Sequence, residues 1–353
     1  MAVYSFSVIF LCLLTFTQLL LLHSLSATSS SASPYLYPTT LFDNYEKMLS
    51  TFRIYIYTPQ KPFTFSAPPL SLFHNSLVNS PFITQNPNEA HLFYIPFPPD
   101  FSTRSRARLV KDLRISHPYW NRTLGADHFF VAPAGIDSSS DRNAVELKKN
   151  SVQISLFPTI SGDFIPHKDI TLPPFNPSPL ALLRQGPANT TASFLGFMIW
   201  DGKIESNLVN EMKGDPEFRI EAEPSNRVDL VKSSKFCLFL YGVEMTWMVE
   251  AVAFGCVPVV LVDRPTQDFP LTDVLRWSDL ALLVGTRGGV KRLKEVLHGV
   301  SDDQYQQMKE LGVAASRHLV WNSEPQPYDA FHMVIYQLWL RRHTIRYSRR
   351  EWV

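Results

Sequence analysis

The sequence predicts an α/β protein with two domains built on largely parallel sheets, preceded by an apolar leader. Three observations carry that prediction. Short β-rich runs alternate with stretches of helical spacing along most of the chain, the pattern left by βαβ units. A proline-dense break, Leu172 to Pro187, divides the alternation in two, as a domain boundary does. No charged side chain occurs before Asp43, and Val3 to Leu25 is almost wholly apolar.

The leader is long enough to span a bilayer as a helix of about 20 residues. It also fits a cleaved signal peptide, with Val8 to Leu22 as apolar core and Ser24 and Ser26 before the cut. Either reading routes the chain into the secretory system. Residues 1–26 are assigned as a signal-anchor or transmembrane segment, and 27–45 as a Ser-rich flexible stem. The sequons at Asn121 and Asn189 agree with that routing.

In the first domain, 46–180, strands are expected at Phe52–Tyr57, His91–Pro96, His128–Ala132 and Val152–Phe157, with a cationic helix over Arg104–Ile115. In the second, 181–325, strands are expected at Phe194–Ile199, Phe218–Ile220, Lys235–Tyr241, Val257–Val262 and Leu280–Val284. Helices are expected over Glu244–Phe254, Val290–Leu297 and Gln304–His318. A C-terminal helix and basic tail, 326–353, close the chain.

Composition narrows the function. With 33 Lys plus Arg against 32 Asp plus Glu, the net charge is +1, which argues against nucleic acid as a partner. Hydrophobic residues at 45% exclude wholesale disorder. Three cysteines make no disulfide scaffold. Cys12 lies in the leader, and Cys237 and Cys256 are expected as buried free thiols rather than as a bridge. Only 14 glycines occur, 11 of them between Gly186 and Gly312. That scarcity excludes a multi-glycine phosphate loop but not a single-glycine turn.

One such turn is Gly242, between an expected strand and helix. Open α/β sheets bind nucleotides at this junction, with the helix start facing the phosphates. Gly242, Val243 and Glu244 form the candidate cradle. Trp247 and Glu250 share a helix face, and Glu250 is a candidate acceptor for ribose hydroxyls. Asp263 ends the next strand. No D-x-D, HExxH or CxxC pattern occurs, so no metal or other cofactor is expected.

The run Glu250-Ala-Val-Ala-Phe-Gly-Cys-Val-Pro-Val259 has the E-A-x-x-x-G-x-x-P-V form of GT-B glycosyltransferases. With Asn88–Phe97 (NEAHLFYIPF), Pro118–Phe130 (PYWNRTLGADHFF), Lys168–Pro174 (KDITLPP) and Pro270–Ser278, the chain resembles the plant branch of the exostosin-like glycosyltransferase family 47. The resemblance implies a GT-B fold, two Rossmann-like domains facing a cleft, in a single-pass type II Golgi membrane protein with a lumenal catalytic domain. It implies inverting, metal-independent transfer from a nucleotide-sugar donor, expected to be a UDP-sugar, to a polysaccharide or glycan acceptor. Asp127 and His128, in the matching block, are the candidate catalytic base, with Asp137 a third choice.

Three departures from the family pattern bear on activity. Trp247 stands where an arginine is usual, Glu205 closes a G-x-I-R-like stretch, and Ala132–Asp137 lacks the expected His-Asp pair. Lys203, Arg227, Lys235 and Arg264 are candidate replacement cations. The alternative reading is therefore a catalytically silent relative that binds other Golgi transferases in a complex.

Overall fold

The computed structural model describes residues 33–136, 139–159, 164–175, 192–243 and 245–347. The leader, residues 27–32 of the stem, Asp137, Glu244, Asn189 and the proposed boundary at 180 lie outside these residues. The rest of the expected flexible stem is corrected: Tyr35 bridges Leu275, and Pro38–Thr51 is a helix that buries Leu41 and Tyr45 in the core. Among the described residues no helix is long and apolar enough to cross a membrane. Pro34 onward forms one compact unit.

Two five-stranded, all-parallel sheets organise that unit. The first runs β1 (Ile54–Ile56), β2 (Leu92–Tyr94), β3 (His128–Val131), β4 (Val152–Leu156), β5 (Ile170–Leu172), side by side in that order. Register is set by pairs such as Tyr55 with Phe93 and Phe130 with Gln153. Ile83 bridges Ile54 on the outer side of β1, also in parallel. The helix α1 (Pro38–Thr51) precedes the sheet, α2 (Pro68–Val78) follows β1, and α3 (Thr103–Ser116) and α4 (Pro118–Thr123) follow β2; α5 (Arg142–Asn150) links β3 to β4. Ser102 starts α3 by accepting from Ser105 N, and Asp141 starts α5 by accepting from Asn143 N and Ala144 N, the ordinary satisfaction of orphan helix donors.

The second sheet contains β6 (Phe194–Ile199), β7 (Phe218–Glu221), β8 (Ser234–Leu240), β9 (Val257–Leu261) and β10 (Leu282–Val284), in the order β10-β9-β8-β6-β7. The connections carry α6 (Asn207–Lys213), α7 (Arg227–Lys232) and α8 (Met248–Ala253), and α9 (Gly289–His298) with α10 (Asp302–Ser316) follows β10. This is the expected α/β architecture, with two parallel, Rossmann-like sheets as the resemblance implies. Strands buried on both faces read as continuous apolar runs, as VPVVL at β9 does.

The last helix, α11 (Ala330–Tyr347), returns to the first sheet and packs on α1, α2 and β5. Its arginine Arg341 is buried and donates Nε to Lys168 O at 2.6 Å and Nη2 to Asp169 O at 3.0 Å. The expectation of two free thiols is corrected: Cys237 and Cys256 form a disulfide, with Cα atoms 5.7 Å apart. Neighbouring parallel strands place Cys237 beside Pro258, so the preceding loop residue Cys256 comes within bridging reach.

Candidate active site

Ligands in open parallel sheets settle outside the carboxyl ends of the strands, where successive connections leave for opposite faces. In the second sheet that place lies between β6 and β8. The helix after β6, α6, packs with Met198 and Trp200, whereas the helix after β8, α8, packs with Phe197 and Phe239. Gly242 follows β8 at this point with φ +87°, a left-handed backbone that costs other residues about 1–2 kcal/mol. Val243 N donates to Leu240 O at 3.0 Å and closes the turn.

A cavity of about 330 Å³ opens beside the turn. Thr159 and Phe164 reach it from beyond β4, Tyr241 from beyond β8, and Arg264, Thr266 and Asp268 from beyond β9. Both sheets therefore contribute their carboxyl-end loops to one space. Asp268, 4% exposed, fastens the two sides. Its Oδ2 accepts from Tyr241 OH at 2.5 Å, from Thr159 N at 2.7 Å and from Thr159 Oγ1 at 2.6 Å. Burial, then the hydrogen bond and charge of Asp268, push the Tyr241 hydroxyl far above its usual range, so it stays a donor. Arg264 lies 5.2 Å over the Tyr241 ring and donates Nη2 to Thr159 O at 3.2 Å.

The structure moves several sequence-derived candidates away from this space. Asp127 and His128 stand at the amino end of β3, both fully buried. His128 Nδ1 pairs with Asp127 Oδ1 at 2.8 Å and its Nε2 with Tyr57 OH at 3.0 Å; Arg122 Nη2 donates to Asp127 Oδ2 at 2.9 Å. Phe93 and Tyr57 stack on the imidazole. Both side chains are enclosed, with their polar atoms engaged by each other and by Tyr57, Thr123 and Arg122. Burial raises Asp127, but His128, Thr123 and Arg122 outweigh it and hold the carboxyl at about 2. Burial keeps His128 neutral, against the pull of Asp127.

Trp247 is 3% exposed and packs 4.2 Å from Phe239 and 5.5 Å from Phe197. It fills core beneath the turn and does not present its indole to a donor. Glu250, 1% exposed, grips Arg227 in a fork, Nε to Oε1 at 3.1 Å and Nη2 to Oε2 at 2.9 Å. Its carboxylate is committed to a guanidinium, which is hard to combine with a direct ribose contact. Asp263 is exposed and accepts from Thr286 N at 2.7 Å and from the Thr286 hydroxyl, pinning the loop after β10. These bonds lower its carboxyl below the usual range. Asn121 is exposed on α4 and donates to Arg114 O at 3.1 Å, leaving the side chain at the surface.

Of the candidate cations, Lys235 sits near the amino end of β8 and bridges Asp302 at 3.0 Å, remote from the turn. Lys203 is exposed and bridges Asp201 at 2.7 Å. Arg227 and Arg264 remain near the carboxyl edge. Sequence reasoning did not single out Asp268, Tyr241 or Thr159. A lone acid in a loop after a strand carries no local signal; only the closure of two distant loops gives it one. Among the described residues no group of three or more His, Cys, Asp or Glu side chains is placed to hold a metal ion.

Comparison with known proteins agrees with this architecture. A family model described as the Exostosin GT47 domain matches residues 48–300. A protein of Arabidopsis thaliana named a "Probable glycosyltransferase" is 28% identical over 349 residues, covering 88% of this chain and 71% of its own length. A "Probable glucuronosyltransferase" of Oryza sativa subsp. japonica is 28% identical over 302 residues, 74% of this chain and 71% of its own. A "Probable beta-1,4-xylosyltransferase" of Arabidopsis thaliana is 25% identical over 302 residues, 74% and 72%.

Proposed function

The chain belongs to the exostosin GT47 family and is a glycosyltransferase, and from that premise we propose that it moves a sugar from a UDP-sugar to a cell-wall polysaccharide or related glycan, with inversion and without a required metal. The observation that carries this reading is the cavity shared by loops from the carboxyl ends of both sheets. A donor at the Gly242 turn would place its diphosphate near Arg264 and Arg227. These guanidiniums are the candidates to replace the arginine that Trp247 displaces, because charge-assisted hydrogen bonds to phosphate need donors at the cavity rim. Glu250 serves by holding Arg227 in place. The names of the rice and Arabidopsis relatives, a probable glucuronosyltransferase and a probable beta-1,4-xylosyltransferase, support transfer of a glycosyl group.

We place the protein in the Golgi lumen, anchored by its leader as a type II membrane protein. The Cys237–Cys256 bridge supports an oxidising compartment. Alkaline extraction of plant membranes tests the anchor: the chain stays in the pellet, and release to the supernatant would reject it. Calorimetric titration of the full chain with UDP tests the donor reading, and binding unaffected by EDTA is the expected result. Absence of UDP binding would sink it in favour of a silent partner that supports other transferases.

A further inference from the structure

Among the described residues, two polar atoms of the cavity lining are not used by the fold: Thr266 Oγ1 and one carboxylate oxygen of Asp268. Asp268 takes all three of its protein hydrogen bonds on Oδ2. Among the described residues, Oδ1 receives none. It is not sealed off either: the buried side-chain atoms without partners include Trp247 Nε1 and Thr266 Oγ1, but not Asp268 Oδ1. An aspartate that is 4% exposed overall therefore keeps one oxygen toward the cavity it lines. The other oxygen is locked by a tyrosine hydroxyl and a threonine, so the carboxylate has a fixed orientation.

Around that oxygen the lining is mixed in a particular way. Phe164, Pro166 and Pro265 supply apolar surface, Tyr241 an aromatic ring, and Arg264 a cation at the exposed rim. One oriented carboxylate oxygen, apolar ring-sized surface and about 330 Å³ of space suit a compact, polyhydroxylated ring better than a flat base or an acyl chain. Small-molecule sites combine apolar walls with a few convergent polar groups in just this volume range, roughly 300–1,000 Å³. A buried carboxylate oxygen demands a donor. A hydroxyl group is the donor that a sugar brings.

We propose that this cavity is a subsite for a pyranose ring, with Asp268 Oδ1 accepting the hydrogen bond of one of its hydroxyls. The inference rests on the transferase reading in one respect: the sugar is taken as the accepting one, because the cavity adjoins the Gly242 turn where the donor's diphosphate is placed. Tyr241 and Thr159 are positioning residues, acting through Asp268.

The test is saturation-transfer NMR on the full chain in detergent, with methyl β-D-xylopyranoside, methyl β-D-galactopyranoside and methyl β-D-glucopyranoside as probes and UDP titrated separately. At least one pyranoside should bind the wild type, and Asp268→Asn should weaken it about tenfold or more. Because Asp268 also joins the two sheets, Phe164→Ala is the companion variant; it leaves every Asp268 hydrogen bond intact and should weaken the same probe. No pyranoside binding to the wild type, or equal binding to wild type and both variants, would overturn the subsite. Loss of UDP binding alone, with the pyranoside signal intact and sensitive to Asp268, would overturn the donor reading and support the subsite.

Discussion

A histidine and an aspartate report on the acid stability of this fold. His318 is fully buried, with Nε2 against Tyr35 OH at 2.8 Å and Nδ1 against Tyr328 O at 2.7 Å. Burial lowers it from 6.5 to about 4, only partly opposed by the bond to Tyr328. A depressed histidine is neutral in the fold and protonates first in the unfolded chain. Its contribution is therefore complete above pH 6.5 and is lost as pH falls toward 4, on the order of 3 kcal/mol in all. Urea unfolding at pH 7 and pH 4.5 should show that loss, and His318→Gln should flatten it. Asp127 acts lower on the scale: held at about 2 rather than 3.8, it stabilises above pH 4 and ceases to do so as pH falls through 2. A second residue-level outcome concerns Arg227. Removing it takes a bidentate partner from a carboxylate that is 1% exposed. Arg227→Ala should cost about 2–3 kcal/mol in chemical denaturation and also weaken UDP binding. A loss of stability with unchanged UDP affinity would confine Arg227 to a structural role.

At the scale of elements, the strands were the legible part. FRIYIY, HFFV, KFCLFLY and VPVVLV announce themselves because a strand buried on both faces is written as a local apolar run. Helix α8 was legible in type but shorter than expected, Met248–Ala253 rather than Glu244–Phe254. Helices α1 and α2 escaped notice, since their prolines and scattered polar residues hide the 3.6-residue period. Strand β5, three residues long, is defined by its partner β4 rather than by its own composition. The site was legible only where chemistry is local, as at Gly242. Glu250 and Trp247 stood at the right helix but face inward, and the residue facing the cavity, Asp268, gains meaning only from Thr159, 109 positions away. The disulfide was misjudged for the same reason: apolar flanks mark burial, but only strand pairing brings two thiols together. It closes a segment with a sequence separation of 19, worth about 3 kcal/mol by loop entropy. Cys256→Ala should lower stability by about that amount in denaturant titration, and an unchanged midpoint would show that the bridge contributes nothing.

Across the whole molecule, a few buried polar links hold the two sheets in register. Asp268 joins the loop after β9 to Thr159 and, through its carbonyl, to Thr171 Oγ1 at 2.7 Å. Arg341 performs the same task from the opposite end of the chain. It reaches Lys168 and Asp169 of the first half, and its Nη1 meets Asp273 of the second at 2.6 Å. Its side chain is 5% exposed. Arg341→Met should therefore cost about 2–3 kcal/mol, because it leaves two buried carbonyls without their donor and Asp273 with Gln337 alone. Thermal unfolding would check this, and a shift of less than a degree would refute the linking role. A ligand bound between the halves adds to the same links, so saturating UDP should raise the melting temperature by mass action.

The Cys237–Cys256 bridge has one more consequence, for how the protein is made. The ring it closes encloses Gly242, Trp247 and Glu250, the whole of the turn and helix between β8 and β9. The two thiols are only 19 positions apart, and both leave the ribosome before α11 does, so the loop can be tied before the last helix docks. A bacterial cytosol withholds that early knot. Material produced there would carry the right sequence and an untied Gly242 turn, and silence in an assay of such material would say more about the host than about the enzyme.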